Sequence, residues 1–340
     1  MSATNQTVAP EEALPKIRID FIPIYLLIGI CLLAFPLVGN SSTWLTLTVA
    51  GLAMGMMMFI MASGLTMVFG LMGVMNFGHA AFITVGAYTA TLVLLPMKGW
   101  LESEQLWHNL SVLGLAILLA IVVTAIMGWL YERIIVKPVY GNPLMQILIT
   151  FGAATVVEQL VTVIWGPEVI ALTMPKALQG SFIIGDAAIE KYRLTAVVVG
   201  LVVFVAMTLI LNRTRIGLLI RAGVENGEMV QALGYRIRRL FVGVFVVGAS
   251  LAGLGGVLWG LYRQELTSGI GGATIVSILI VIIVGGMGSI GGCFIASMLV
   301  ALIGNYAGFL APKVALVSEI LLMVAVLSWR PNGLYPVVAH

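Results

Sequence analysis

Long apolar runs alternate with short polar segments along nearly the whole chain. Ten of these runs reach or approach the roughly 20 residues that an apolar helix needs to cross a bilayer. They lie at about 21–38, 44–69, 78–96, 110–130, 144–165, 194–211, 240–261, 273–290, 291–310 and 313–329. Because only a glycine-rich turn separates 273–290 from 291–310, eight or nine spans remain open as alternatives. The pattern predicts about ten transmembrane helices.

The composition agrees with this pattern. Of the 340 residues, 61% are hydrophobic and 9% are charged, and the mean hydropathy is +1.12. Soluble domains carry about 25% charged residues. We therefore expect an all-α polytopic membrane protein with a single transmembrane domain over 21–329, between cytoplasmic tails at 1–20 and 330–340. The connections leave no room for a separate soluble domain.

The positions of the basic residues predict the orientation. If the N-terminus is inside, eleven Lys and Arg residues face the cytoplasm and six face outward, which favours both termini inside. The segment 212–239 then forms a cytoplasmic loop with six arginines, and 166–193 forms an ordered external loop, with room for a short interfacial helix. Ten spans also permit two inverted repeats of five.

No pattern typical of catalysis is present in the sequence. None of the six lysines follows a glycine, so there is no phosphate-binding loop of the Walker A type, and no zinc-binding His-Glu-x-x-His pair occurs. We expect a transport subunit rather than an enzyme, with no metal or cofactor of its own. The net charge of only +3 argues against a nucleic-acid partner.

Two glycine-rich segments interrupt the apolar pattern, at 64–90 and 268–292. Broken membrane helices expose main-chain groups, which persist only where protein or a water-filled cavity satisfies them. Asn76, Gly78 and His79 lie at the first interruption. Two interpretations stay open: Asn76 and His79 cap helices at a cytoplasmic turn, or they line a translocation path. We expect many other glycines to permit close helix packing.

Two carboxylates, Glu158 and Glu319, fall inside predicted spans. A charge at that depth costs about 2.5 kcal/mol or more on insertion scales, so each needs a polar partner, a cavity or a proton. Either they line the solute pathway, or they form buried hydrogen bonds between helices. The sequence favours neither.

The basic loop contains a predicted two-turn helix. Asn226 is suited to its N-cap, Glu228 to its first turn and Gly234 to a left-handed stop. Met229, Val230 and Leu233 are expected on one apolar face. That face either inserts into a groove of a partner protein or rests on the membrane-facing end of this protein itself.

Several segments together resemble the permease family of branched-chain amino acid ABC importers. They are GLTMVFGLMGVMNFGHAAFITVGAYTA, ERIIVKPVYGNPLMQILITFG, RAGVENGEMVQALGYRIRRLFVGVFVVGASLAGLGGVL, IVGGMGSIGG and the terminal RPNGLYP, in that order. The resemblance implies a bacterial inner-membrane subunit. Its implied partners are a homologous second permease subunit, two cytoplasmic ATP-binding subunits that hold ATP-Mg, and a periplasmic solute-binding protein.

The resemblance also assigns roles within the chain. It implies that the basic loop couples to the ATPases, through Glu228, Met229, Val230, Leu233 and Gly234 together with Arg221. The predicted solute pathway contains Asn76, Gly78, His79, Glu158 and Glu319. The expected function is inward transport of branched-chain amino acids or a related small polar solute. The alternative is a partner-independent channel or facilitator for a neutral solute such as urea.

Overall fold

The computed structural model describes residues 21–225 and 227–335. The N-terminal tail 1–20, the last five residues and Asn226 lie outside the described residues. The α-helices are α1 Ile22–Val38, α2 Ser41–Met72, α3 His79–Leu94, α4 Lys98–Leu101, α5 Leu106–Tyr131, α6 Pro143–Trp165, α7 Lys191–Arg213, α8 Arg215–Glu225, α9 Gly227–Ala232, α10 Ile237–Arg263, α11 Ile270–Gly285, α12 Ile290–Leu310 and α13 Ala315–Trp329.

The prediction of an all-α polytopic membrane protein is confirmed. Each of the ten apolar runs corresponds to one helix. Six of these helices are long and apolar enough to cross a membrane, and the other four are shorter apolar helices. The doubtful pair, α11 and α12, is separated by a turn in which Gly286 and Gly288 both have positive φ angles. That turn ends one helix and allows the chain to reverse.

Glycines allow the central helices to approach closely. A Cβ atom built on Gly64 of α2 or on Gly248 of α10 would overlap main-chain atoms of the other residue. A Cβ on Gly86 of α3 would likewise overlap the main chain of Gly253 in α10. These contacts confirm that small residues set the spacing between the helices. They place α2 and α10 at the centre, with α3, α5 and α12 packed against them.

The segment between α6 and α7 is ordered by short strands. The strands are β1 Ile170–Ala171, β2 Ser181–Ile184 and β3 Ala187–Glu190, followed by β4 Glu265–Leu266 after α10. β2 and β3 form an antiparallel hairpin, while β1 pairs with β4 in the register Ile170 with Leu266. Only a 3₁₀ turn at Lys176–Leu178 is helical there. The segment is ordered, as expected, and a hairpin takes the place of the interfacial helix.

The basic loop contains two helices where one was predicted. The first, α8, is preceded by a sharp turn, because a Cβ atom on Gly217 would collide with the carbonyl oxygen of Leu211 at the end of α7. The second, α9, corresponds to the predicted short helix, although it is only six residues long.

Candidate functional site

Four connections meet at one end of the helix bundle, which we call the basic end. They are 73–78, 132–142, 214–236 and 286–289. The first, second and fourth are in close contact at their ends, since a Cβ on Gly70 would overlap Gly288 and a Cβ on Gly78 would overlap the Tyr131 hydroxyl. The second and third line a common cavity. By the distribution of Lys and Arg, this end is the expected cytoplasmic one.

The connection between α2 and α3, residues 73–78, is a helix break held by side chains of α6. Gly73 ends α2 in a left-handed conformation, with φ of 62°. The main-chain N–H of Met75 donates to Oε1 of Gln146 at 3.2 Å, and that of Phe77 donates to Oγ1 of Thr150 at 3.1 Å. These bonds satisfy amides that the break leaves without helical partners. Neither Gln146 nor Thr150 is among the residues predicted from the sequence.

Asn76 is buried in the middle of this break. Among the described residues, neither its Oδ1 nor its Nδ2 has a hydrogen-bond partner. The capping interpretation is wrong, because Gly78 is the N-cap of α3 and no side chain caps that helix. Asn76 instead borders a cavity of about 240 Å³, whose other lining residues are apolar: Leu65, Phe69, Met75, Phe77, Ile147, Leu279, Ile282, Ile283 and Met287.

His79 has a partner on the neighbouring helix. Its Nε2 lies 2.8 Å from the carbonyl oxygen of Met61, and the side chain is almost fully buried. Because a carbonyl oxygen can only accept, Nε2 is the protonated nitrogen. The imidazole therefore joins α3 to the middle of α2. It does not line the cavity beside Asn76.

Each of the two membrane carboxylates meets another helix. Glu319 of α13 accepts a hydrogen bond from the Ser277 hydroxyl of α11 at 2.7 Å, so the bond between helices, one of the two alternatives, is present. Glu319 also borders a cavity of about 410 Å³. Glu158 lies near the start of α11, where a Cβ on Gly269 would be 3.3 Å from its Oε1. The positive end of that helix favours a carboxylate there.

The three apolar residues Met229 and Val230 of α9 and Leu233, which directly follows it, do not share one face. Met229 and Leu233 are 60% and 69% exposed, whereas Val230 is only 5% exposed. Val230 borders a small cleft with Leu219 and Tyr235. The expectation of a common face is therefore wrong: Val230 attaches α9 to the protein, and Met229 and Leu233 point away.

The other predicted coupling residues have distinct local roles. Gly234 has a φ of 86°, the left-handed stop that was expected. Arg221 of α8 donates from its guanidinium to the carbonyl oxygen of Leu211 at 2.8 Å, which braces α8 against the end of α7. The proposed capping residue Asn226 and the side chain of Glu228 lie outside the described part of the structure.

Residues 47–327 match the sequence profile of the family described as branched-chain amino acid transport system / permease component. The chain belongs to this permease family. The match begins within α2 and ends within α13, so the family pattern covers the central helices, the break at 73–78 and the basic loop. Within the described residues, this permease has no group of three His, Cys, Asp or Glu side chains able to hold a metal ion.

Named relatives of the permease include bacterial and archaeal proteins. It is 29% identical over 295 residues to the high-affinity branched-chain amino acid transport system permease protein BraD of Pseudomonas aeruginosa, covering 84% of this chain and 94% of the relative. It is 26% identical to the permease protein LivH of Escherichia coli K12 over 84% and 92% of the two chains. A probable LivH of Methanocaldococcus jannaschii is 24% identical, over 82% and 88%. No solved structure matches.

One helix of the permease presents an extensive outer face. Only 11% of the residues in the most apolar stretch of α6 are buried. Its exposed face includes the polar side chains Thr155 and Gln159 among apolar neighbours such as Phe151 and Val163, and these residues line a shallow groove of about 440 Å³. Gln159 makes no hydrogen bond to the described part of the chain. A polar amide that faces lipid is unfavourable.

Proposed function

We propose that this permease is the transmembrane subunit of a binding-protein-dependent ABC importer in a bacterial inner membrane. It moves branched-chain amino acids, or a related small polar solute, inward. ATP hydrolysed on partner subunits drives the transport. The observation that carries this proposal is the family match over 281 of the 340 residues, together with relatives named as branched-chain amino acid permeases.

The exposed pair on α9 supports contact with two cytoplasmic ATP-binding subunits, which bind ATP-Mg. Met229 on α9 and Leu233 directly after its end are large apolar side chains at the basic end, away from the apolar core. Inserted in a groove of the ATPase, they would transmit its closure to α7 and α10, which flank the loop. Val230 and Arg221 hold α9 and α8 to those helices.

The outer face of α6 supports a homologous second permease subunit. A neighbour there would cover Thr155 and Gln159 and provide hydrogen bonds that lipid tails cannot. The groove along α6 continues toward Phe151, close to the break at 73–78. A path between two such subunits would therefore pass beside Asn76.

The cavity at Asn76 supports an aliphatic solute. Nine of its ten lining residues are apolar, which suits a branched hydrocarbon side chain better than urea. Asn76 supplies the only amide in the lining. At the opposite end, the ordered segment with β1 to β4 offers a surface for a periplasmic solute-binding protein, which would select the solute before it reaches the cavity.

Reconstitution separates this importer from a partner-independent channel. The permease and its second subunit would be placed in liposomes with the binding protein, with and without the ATPase subunits, and uptake of labelled leucine and urea followed. Leucine uptake that requires both the ATPases and ATP is the expected result. Equal flux without the ATPases would instead establish a channel.

A further inference from the structure

A large, positively charged cavity lies between the end of α5 and the start of α10, and we call it the basic cavity. Its volume is about 870 Å³. Five cationic residues line it, and all are exposed: Arg133, Lys137, Arg236, Arg238 and Arg239. The only acidic residue in its lining is Glu132. The solute pathway and the exposed pair on α9 use none of these cations.

The charge of the basic cavity is not neutralised within the described chain. The described residues form four ion pairs, and all of them lie outside the basic cavity, at Lys98, Lys176, Arg193 and Arg263. Glu132 is almost fully buried, and its carboxylate already accepts a hydrogen bond from the Tyr140 hydroxyl at 2.8 Å. Burial and this carboxylate both raise the pKa of Tyr140, which keeps it a neutral donor. The cavity therefore carries a surplus of positive charge.

The local helix geometry concentrates that charge. A π-helical turn, Glu132–Val136, follows α5, and π-helical turns are frequent at functional sites. Across the cavity, α10 begins at Ile237 with Arg236 as its N-cap and no capping side chain. The N-terminus of this 27-residue helix adds its own positive potential to that of the arginines. The site is suited to an anion.

An apolar stripe leads from the membrane to the cavity. Val122, Ile126 and Trp129 follow one another at helical spacing on α5, and all three are exposed. Arg133 continues the stripe, with its guanidinium 5.6 Å from the centre of the Trp129 ring. Tryptophan is enriched at the interface between lipid and water, so headgroup level is the expected position of the cavity.

We propose that the basic cavity binds the phosphodiester headgroup of an anionic phospholipid, whose acyl chains lie along the α5 stripe. Basic pockets between transmembrane helices on the cytoplasmic side bind such headgroups. An acidic patch on a protein partner would account for the arginines, but not for a stripe of exposed apolar residues running into the membrane. The combination of charge and stripe favours a lipid.

Native mass spectrometry of the full-length permease in detergent tests this site. Phosphatidylglycerol and phosphatidylcholine are titrated separately, and the bound fractions give apparent dissociation constants. We expect one phosphatidylglycerol to bind preferentially. Because each basic residue near the membrane contributes to attraction of anionic lipid, the double variant Arg133→Gln/Arg236→Gln should weaken its binding about tenfold. Arg133→Lys/Arg236→Lys should retain most of the binding.

The matched control is Arg213→Gln/Arg215→Gln. It removes the same charge at the same end, but both residues lie outside the lining of the basic cavity. This control should change phosphatidylglycerol binding by less than about twofold. An equal loss in both double variants would mean general attraction of anions and would overturn the proposal. If the cavity double variant fails to fold, the single variant Lys137→Gln should still weaken binding measurably while the control does not.

Two further measurements identify the ligand's source. Deacylated glycerophosphoglycerol should compete poorly; if it displaces phosphatidylglycerol at equal concentration, the ligand is a soluble phosphodiester and the lipid assignment is wrong. Co-purification with the ATPase subunits should be unaffected by the cavity variant. Loss of the ATPases with unchanged lipid binding would make the cavity a protein contact.

Discussion

Helices α2 and α6 are both long and apolar enough to cross a membrane, yet their surroundings differ sharply. In the most apolar stretch of each helix, 61% of the residues of α2 are buried, whereas only 11% of those of α6 are buried. The surface of α2 carries closely packed glycines and methionines, while α6 presents bulky aliphatic side chains and two polar ones outward. Hydropathy identifies both as spans. Small residues at the contacts distinguish a central helix from a peripheral one.

The largest difference between these helices is expected for substitutions of glycine. Gly64→Val in α2 forces a side chain into the main chain of Gly248 and should lower the free energy of unfolding by about 3 kcal/mol or more. Gly152→Val in α6 places its side chain in open space and should change the free energy of unfolding by about 0.5 kcal/mol or less. Thermal and denaturant unfolding in detergent measure both. Equal losses would remove the distinction between core and periphery.

A smaller effect is expected for the histidine that binds α2. His79→Ala removes the hydrogen bond to the Met61 carbonyl and leaves a cavity, so it should cost about 2 kcal/mol of unfolding free energy. His108→Ala, at the partly buried ring near Trp100, is the control and should cost about 1 kcal/mol or less. If His79→Ala unfolds like the wild type while uptake stops, His79 belongs to the pathway instead.

Two threonines on α6 test whether one part of this helix belongs to the core. Thr150 is buried and accepts from the Phe77 amide, so Thr150→Val should cost about 1.5 kcal/mol. Thr155 is exposed, and within the described residues its hydroxyl bonds only to its own helix, so Thr155→Val should cost about 0.5 kcal/mol or less. The same unfolding measurements apply. Losses in the opposite order would mean that α6 does not stabilise the break.

The smallest effect on folding is expected at α9. Met229→Asp/Leu233→Asp alters two exposed side chains and should change the free energy of unfolding by about 0.5 kcal/mol or less. It should nevertheless abolish stimulation of the partner ATPases by the binding protein, because charges would be placed in an apolar groove. The control is Leu218→Asp, at another exposed residue, on α8. Equal uncoupling by the control would contradict the assignment to α9.

The spans could be predicted because crossing a membrane requires a long apolar run, a property of local sequence. The left-handed conformation of Gly234 could be predicted for the same reason, because it also depends on local sequence. The partners of the 73–78 amides could not be predicted, since they lie on α6, about 70 residues away in the sequence. The partner of His79 lies on the preceding helix, but it is a main-chain carbonyl, which side-chain patterns do not reveal. Helix α8 was predictable from the sequence, because Ile216, Leu219, Ile220 and Gly223 recur at helical spacing among the arginines.

The two hydrogen bonds that the break at 73–78 donates to α6 link local order to assembly. Gln146 and Thr150 lie one turn apart and accept from the alternate amides of Met75 and Phe77. A subunit that binds the outer face of α6 would restrain both acceptors. By linkage, the free energy of the local opening that exposes those amides to solvent would rise. Hydrogen exchange at Met75 and Phe77 would then slow when the transporter assembles, even though neither residue touches the added subunit.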